Sequence, residues 1–239
     1  MILAIDCGNS RLKWGAHDGA TWRTQGVLDY TELASLAAVL AAQPGVRRAV
    51  VANVAGSRVG EAVGSALAQL GITVRWAGGQ SEQCGVRNLY DTPRQLGADR
   101  WAALIGARHL HGDACLVVNA GTATTVDVLD ADGTFQGGII LPGLHLMRGA
   151  LAGNTAQLPL VDGAFADLPR NTADAIASGC LQAQAGAVER MYPRVADRAG
   201  AVCLVSGGGA DALFDLLDVP RRRVDALVLE GLARIGLQD

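Results

Sequence analysis

The sequence predicts an α/β fold made of two similar halves, residues 1–112 and 113–239, that share one cleft. Three observations predict it. Apolar strand-like runs alternate with helix-spaced segments through residues 49–76, the order that gives parallel strands with helical crossovers. A strand–glycine–strand pattern near the N-terminus recurs around Gly121, 113 positions after Gly8 and so close to half the chain length. A chain of 239 residues also has the length for two domains of about 120 residues each.

The first hairpin opens the chain. Ile2, Leu3, Ala4 and Ile5 read as a buried strand that stops at the turn-forming cluster Asp6-Cys7-Gly8-Asn9-Ser10. Leu12, Trp14 and Ala16 then alternate with Arg11, Lys13 and Gly15, so a second strand returns beside the first. The tip carries a carboxylate, a glycine, an amide and a hydroxyl, with Lys13 just behind. Glycine lets backbone N–H groups approach an anion, and Asp6 suits a hydrated cation. That chemistry fits the terminal phosphates of a nucleotide with Mg²⁺. An ordinary hairpin turn fits the same stretch equally well. The recurrence tips the balance: residues 115–128 repeat an apolar run, then Asn119-Ala120-Gly121-Thr122, then alternation at Thr124, Val126 and Val128. Two such hairpins, one from each half, would close on a nucleotide cleft.

The remaining elements follow in order. Residues 30–42 have helical spacing (Leu33, Leu36, Ala37, Leu40) and end at Pro44-Gly45. Residues 49–52 form a short strand, 60–70 a helix and 72–76 a further strand, and all three read as scaffold. Residues 83–100 read as a long polar connection holding Tyr90, Pro93 and Gly97-Ala98-Asp99-Arg100, which leads into a helix over 101–110. Asp99 at a helix start has two readings: an acidic N-terminal cap, or a general base beside a guanidinium able to grip a carboxylate. The residues alone favour the cap. Gly137 to Gly143 bracket a strand where a ligand can come close, or where a strand simply exits. A lone His145 and a helix over 146–152 follow, then an irregular connection over 158–169 with Pro159 and Pro169. Thr172 with Asp174 signals the cap of a long helix to about residue 191. Its small residues (Ala173, Ala177, Gly179, Ala183, Gly186) allow another helix to pack closely. A strand over 201–205 runs into Gly207-Gly208-Gly209, a junction on which a nucleotide can lie against bare backbone. A helix over 210–217, a solvated basic edge at Arg221-Arg222-Arg223 and a closing helix over 225–235 complete the chain.

Composition narrows the function. The mixed charge (net −3) disfavours nucleic acid as a partner. No apolar stretch reaches membrane-span length, and the N-terminus enters a strand directly rather than a signal peptide. Five scattered cysteines without a CxxC fit reduced thiols in a cytoplasmic protein. Walker A, HExxH and GxSxG motifs are all absent.

Taken together these motifs resemble the type III pantothenate kinase family of the actin-like (ribonuclease H-like) superfamily, in its Bvg accessory factor-like branch. The resemblance spans nearly the whole chain. It rests on Asp6-Cys7-Gly8-Asn9-Ser10 with Lys13, Asn88-Leu89-Tyr90 with Pro93, Leu96-Gly97-Ala98-Asp99-Arg100, Ala120-Gly121-Thr122-Ala123, Gly137-Gly138-Ile139 with Pro142-Gly143, Asn171-Thr172, and Gly207-Gly208-Gly209. Each is weak alone, and the set in this order is specific. The resemblance implies ATP-dependent phosphorylation of the pantothenate 4′-hydroxyl, the first step towards coenzyme A, with Mg²⁺ and a monovalent cation (K⁺ or NH₄⁺). It implies that Asp6, Gly8, Asn9, Ser10 and Lys13 bind the ATP phosphates, with Asp6 at Mg²⁺. Gly121 and Thr122 would be further phosphate contacts, and Gly207 and Gly208 would lie by the adenosine. Asp99 would accept the proton of the attacking hydroxyl. Tyr90, Gly97, Ala98, Asp99 and Arg100 would line the pantothenate site, completed by Thr172 from the neighbouring subunit of a homodimer. One departure stands out: many members carry Asp, a ligand for the monovalent cation, where this chain has Asn119. The cation requirement is therefore expected to be weakened or met by other groups. Two rivals remain at this level: an actin-like kinase for another small hydroxy acid or sugar, and a non-enzymatic nucleotide-binding accessory protein.

Overall fold

The computed structural model describes residues 1–43, 45–155 and 162–238. Pro44, expected to end the first helix, and residues 156–161, with Pro159 of the expected irregular connection, lie outside the described residues. The chain divides into two compact units. The first comprises Met1–Gly112, Gly133–Gln136 and Ala226–Asp239; the second comprises Asp113–Asp132 and Gly137–Asp225. This differs in two places from a single cut after residue 112: a short strand segment and the closing helix belong to the first unit.

In the first unit, β1 (Ile2–Cys7), β2 (Arg11–His17), β3 (Trp22–Asp29), β4 (Arg48–Asn53) and β5 (Thr73–Trp76) form one sheet in the order β3-β2-β1-β4-β5. β1, β4 and β5 are parallel, while β2 and β3 run antiparallel to their neighbours. The sequence reading lacked β3, because only Leu28 in that strand is buried and no apolar alternation marks it. The helix expected over 30–42 is a 3₁₀ turn, Tyr30–Ser35, that passes into a short α1 (Leu36–Ala41). With α2 (Ser57–Gln69), α1 covers one sheet face, burying Leu3, Ile5 and Cys7 of β1 against Leu36, Leu40, Val63 and Leu67. Alternation sends Ile2, Ala4 and Asp6 to the other face. The helices packed there are α3 (Ala98–Leu110) and the closing helix of the chain, Leu227–Leu237. These two helices meet backbone to backbone: a Cβ on Gly106 would strike the Leu227 carbonyl, and one on Gly231 the Ala102 carbonyl. That close approach is why the closing helix belongs to the first unit.

The stretch expected as a plain polar connection is structured. It holds β6 (Glu82–Gln83), β7 (Val86–Asn88) and a 3₁₀ turn at Pro93–Gln95. β7 pairs in parallel with Thr134 and Phe135.

The second unit is built on β8 (Cys115–Ala120), β9 (Ala123–Leu129), β10 (Thr134–Pro142, from Gly137 onward in this unit), β11 (Val202–Ser206) and β12 (Arg221–Arg223), ordered β12-β11-β8-β9-β10. Leu116, Val118, Val126 and Val205 pack against α5 (Thr172–Met191) and α6 (Ala210–Phe214), through Ala185, Val188 and Leu213. α4 (Leu144–Asn154) packs on α5. Three local expectations change. Asn171, not Thr172, caps α5, its side-chain oxygen accepting from the Asp174 N–H at 2.9 Å. The helix expected over 210–217 stops at Phe214. The basic run is an edge strand, β12, with Arg223 paired to Asp211 at 2.9 Å and Arg221 stacked on Phe214. The helix closing the chain, Leu227–Leu237, is α7.

Candidate active site

The first hairpin places its acid by register. β1 extends through Asp6 and Cys7, so both lie in the strand rather than the turn, and only residues 8–10 form the tip. Asp6 pairs across the strands with Lys13, and Cys7 with Leu12. Cys7 faces the apolar core, where burial and then neighbouring Asp6 push its thiol up to about 12, so it stays protonated. Asp6 faces the side covered by α3. There one carboxylate oxygen, Oδ1, is buried with no hydrogen-bond partner. Burial, followed by the Asp99 carboxylate, raises Asp6 to about 7, and Lys13 acts against them. Strand alternation and the position of α3 thus bring together two carboxylates that lie 93 positions apart in the sequence.

Asp99 stands in the first turn of α3, yet it is not the cap. Gly97 occupies that position and makes no side-chain capping bond. Asp99 Oδ1 accepts from the Arg100 N–H at 2.8 Å. Arg100 is only 5% exposed; its Nη1 donates to Tyr90 Oη at 2.9 Å, and the guanidinium lies over the Tyr90 and Phe135 rings. Asp6, Gly8, Asn9, Ser10, Lys13, Tyr90, Gly97, Ala98, Asp99 and Arg100 therefore all belong to the first unit.

The second unit repeats the hairpin with other side chains. Asn119 pairs with Thr125 and Ala120 with Thr124, leaving a tip at Gly121 and Thr122. Asn119 occupies the position of Asp6, two residues before the glycine, and is also flanked by Ser206 of β11. Gly143 N–H donates to the Thr122 carbonyl at 2.9 Å and Gly209 N–H to the Ala120 carbonyl at 2.9 Å, which holds the tip from two sides. Behind it, Thr124 Oγ1 donates to Gln184 Oε1 at 2.8 Å, both side chains being buried. Thr172 is the first residue of α5, exposed and free of capping duty.

The glycines separate into two kinds. Gly207 has φ +102°, and a Cβ there would strike the Ala120 carbonyl, so the fold itself requires glycine. Gly8, Gly121 and Gly208 have no such φ. A Cβ would meet only a carbonyl oxygen at 3.4 Å in the two hairpin tips, and nothing within 4 Å at Gly208. At those three places neither conformation nor packing requires glycine, and the bare backbone leaves room for a ligand to approach.

Two residues escaped the sequence reading. Tyr30 Oη donates to the Gly8 carbonyl across 22 positions, and no local pattern announces it. Gln184 was findable, since of the two amides in α5 it is the one on the apolar face, four positions after Cys180. Among the described residues no group of three or more His, Cys, Asp or Glu is arranged to hold a metal. None of the five cysteines forms a disulfide, and among the described residues no helix is long and apolar enough to cross a membrane.

Comparison with known proteins identifies the family. A family model described as type III pantothenate kinase matches residues 2–194. A type III pantothenate kinase of Aromatoleum aromaticum is 59% identical over 239 residues, covering 100% of this chain and 99% of that protein. One from Azoarcus sp. (strain BH72) is 53% identical, covering 100% and 92%. A solved structure of a Baf family protein from Campylobacter jejuni superposes with a TM-score of 0.60 at 21% identity, over 99% of this chain and 98% of that one. A putative N-acetylmannosamine kinase from Listeria monocytogenes shares the fold, with a TM-score of 0.58 at 13% identity over 99% of both chains, in keeping with the fold class expected from the paired hairpins. On the family match and the full-length identity, the chain belongs to the type III pantothenate kinase family.

Proposed function

We infer that this protein uses ATP to phosphorylate pantothenate at its 4′-hydroxyl, giving 4′-phosphopantothenate, the first step of coenzyme A biosynthesis. The observation that carries the assignment of roles is the buried Asp6 oxygen without a partner, beside Asp99 at the first hairpin. A carboxylate left this way is suited to a cation, so the residues fit Mg²⁺, with Asp6 as the group that would hold it. Bound there, Mg²⁺ neutralises phosphate charge. The backbone amides at residues 8–10 and Lys13 orient the phosphates. Gly121 and Thr122 make further phosphate contacts, and Gly207 and Gly208 give the adenosine a flat backbone to rest on. Phosphoryl transfer depends mostly on such positioning and charge neutralisation.

Asp99 accepts the proton of the attacking 4′-hydroxyl. Its second oxygen remains for that task while Oδ1 takes the Arg100 amide. Arg100, Tyr90, Gly97 and Ala98 line the acceptor site, where a fixed guanidinium suits pantothenate's carboxylate. Asn119 offers a neutral carbonyl oxygen to K⁺ or NH₄⁺, a weaker ligand than a carboxylate. A homodimer is supported by the second unit's surface. Ile139, Ile140, Leu146, Phe165 and Leu168 are all exposed, Leu168 at 87%, and α4 buries none of its residues. Thr172 lies in the same unit and reaches the acceptor site of the partner protomer. Five cysteines without a disulfide, together with the use of ATP, support a cytoplasmic location.

The test is pantothenate phosphorylation by purified protein with Mg²⁺ and K⁺, alongside Asp99→Asn. The amide oxygen of Asn still accepts from Arg100 N–H, so the helix start survives. A kcat loss of at least about a hundredfold supports Asp99 as the base. Full activity in the variant returns Asp99 to a local structural role, and an inactive wild type overturns the assignment of activity.

A further inference from the structure

We propose that Tyr30 is a positioning residue for ATP, its hydroxyl fixing the peptide plane at the tip of the first hairpin. This rests on the reading of that hairpin as a phosphate site. Tyr30 begins the 3₁₀ turn after β3, where Asp29 caps the turn by accepting from the Thr31 N–H at 3.0 Å. The ring is half-buried, and its Oη donates to the Gly8 carbonyl oxygen.

The consequence lies on the far side of that peptide. A trans peptide is planar, with its C=O and N–H pointing in opposite directions. Holding the Gly8 carbonyl towards Tyr30 therefore turns the Asn9 N–H the other way. Asn9 is exposed at the tip, so its N–H is directed outward as a donor for an anion. Glycine at position 8 makes the restraint necessary, because without a side chain this peptide can flip. A flipped peptide would present a carbonyl oxygen, which repels phosphate where an N–H attracts it. Tyr30 also remains a donor across the working pH range. Burial first, then the nearby Cys7 and Asp6, raise its phenol above its ordinary value.

The experiment compares wild type, Tyr30→Phe and Gly8→Ala by calorimetric titration with Mg-ATP, steady-state kinetics and thermal melting. Tyr30→Phe keeps the ring and removes only the donor. The expected result is ATP affinity weakened about tenfold, with KM for ATP raised in step, the scale of one hydrogen bond. KM for pantothenate and the melting temperature should stay near wild type. Unchanged ATP affinity in Tyr30→Phe, or a fall in melting temperature and kcat with KM for ATP unmoved, overturns the proposal, since the bond would then be structural only. Gly8→Ala separates this from failure of the underlying reading. Its Cβ meets only the Arg11 carbonyl at 3.4 Å, so the fold tolerates it while the approach to the tip is narrowed. If Gly8→Ala binds ATP as well as wild type, the phosphate reading of the hairpin fails. If Gly8→Ala weakens binding and Tyr30→Phe does not, only the role of Tyr30 fails.

Discussion

The hairpins of β1–β2 and β8–β9 use one backbone device with different electrostatics. Each runs an apolar strand into a glycine tip that neither φ nor packing requires. Two residues before the glycine, the first has Asp6 opposite Lys13, and the second has Asn119 opposite Thr125. The first keeps a half-buried acid whose charged form is disfavoured, braced by the Tyr30 hydroxyl on the Gly8 carbonyl and by the Val54 N–H on the Cys7 carbonyl at 3.0 Å. The second has no acid at the corresponding position and is tied down by Gly143, Gly209 and the Thr124–Gln184 pair. A charged ligand site tolerates an unsatisfied carboxylate because a cation is expected to satisfy it. The second has an amide in place of that acid, and its tip carbonyls at Ala120 and Thr122 are already taken by the Gly209 and Gly143 amides.

Making the first hairpin a copy of the second gives the largest expected effect. Asp6→Asn should lower kcat/KM for ATP by about a hundred- to a thousandfold, the scale for loss of a preorganised electrostatic group. Stability should move the other way. Asp6 stands at about 7 in the fold against an ordinary 3.8, so the folded state holds the proton more tightly than the unfolded chain. Its contribution is full below pH about 4 and is lost as pH rises from there towards 7. Above pH 7 the buried charge costs on the order of 4 kcal/mol, and Asp6→Asn removes that cost. Denaturant titrations without metal at pH 5 and pH 8 check this. Wild type should lose stability between the two values relative to the variant, and parallel behaviour would mean that Asp6 is well solvated.

The same asymmetry explains what could be read from the sequence. Both hairpins, the parallel strands and the long α5 were legible because apolar periodicity and glycine punctuation are local signals. β3 was hidden because an edge strand with one buried residue carries no apolar alternation. Asp6, Asp99 and Lys13 could each be nominated from the sequence, but their proximity comes from strand register and from α3 lying on the sheet face opposite α1 and α2. Tyr30 was illegible for a stronger reason. Its hydroxyl acts on a backbone carbonyl, and a carbonyl has no sequence. The cap of α5 shows the limit of a motif: Asn171 and Thr172 are both good capping types, and only geometry decides between them.

The converse substitution, Asn119→Asp, gives the second hairpin the charge of the first. Wild type is expected to show a shallow preference among Na⁺, K⁺ and NH₄⁺. The variant should steepen the dependence on K⁺ by about tenfold, the scale of one added charge at a partly buried cation ligand. Rates measured in matched chloride salts decide this. A wild type already strictly dependent on K⁺, with no change in the variant, would place the cation on other groups and remove Asn119 from the comparison.

The smallest expected effect concerns the glycine turn that braces the second hairpin. Gly207 and Gly208 are adjacent, yet the structure needs only the first. Gly207→Ala forces a positive φ on alanine and drives a methyl group into the Ala120 carbonyl, so it should destabilise the fold by about 1–3 kcal/mol. Gly208→Ala meets nothing within 4 Å and should leave the melting temperature unchanged. It should still raise KM for ATP by about threefold, a fraction of a kcal/mol, by lifting the adenosine off the backbone. Melting curves and ATP kinetics on both variants separate bracing from binding. If Gly208→Ala leaves KM unmoved, the glycine run serves the second hairpin alone, and the nucleotide lies elsewhere.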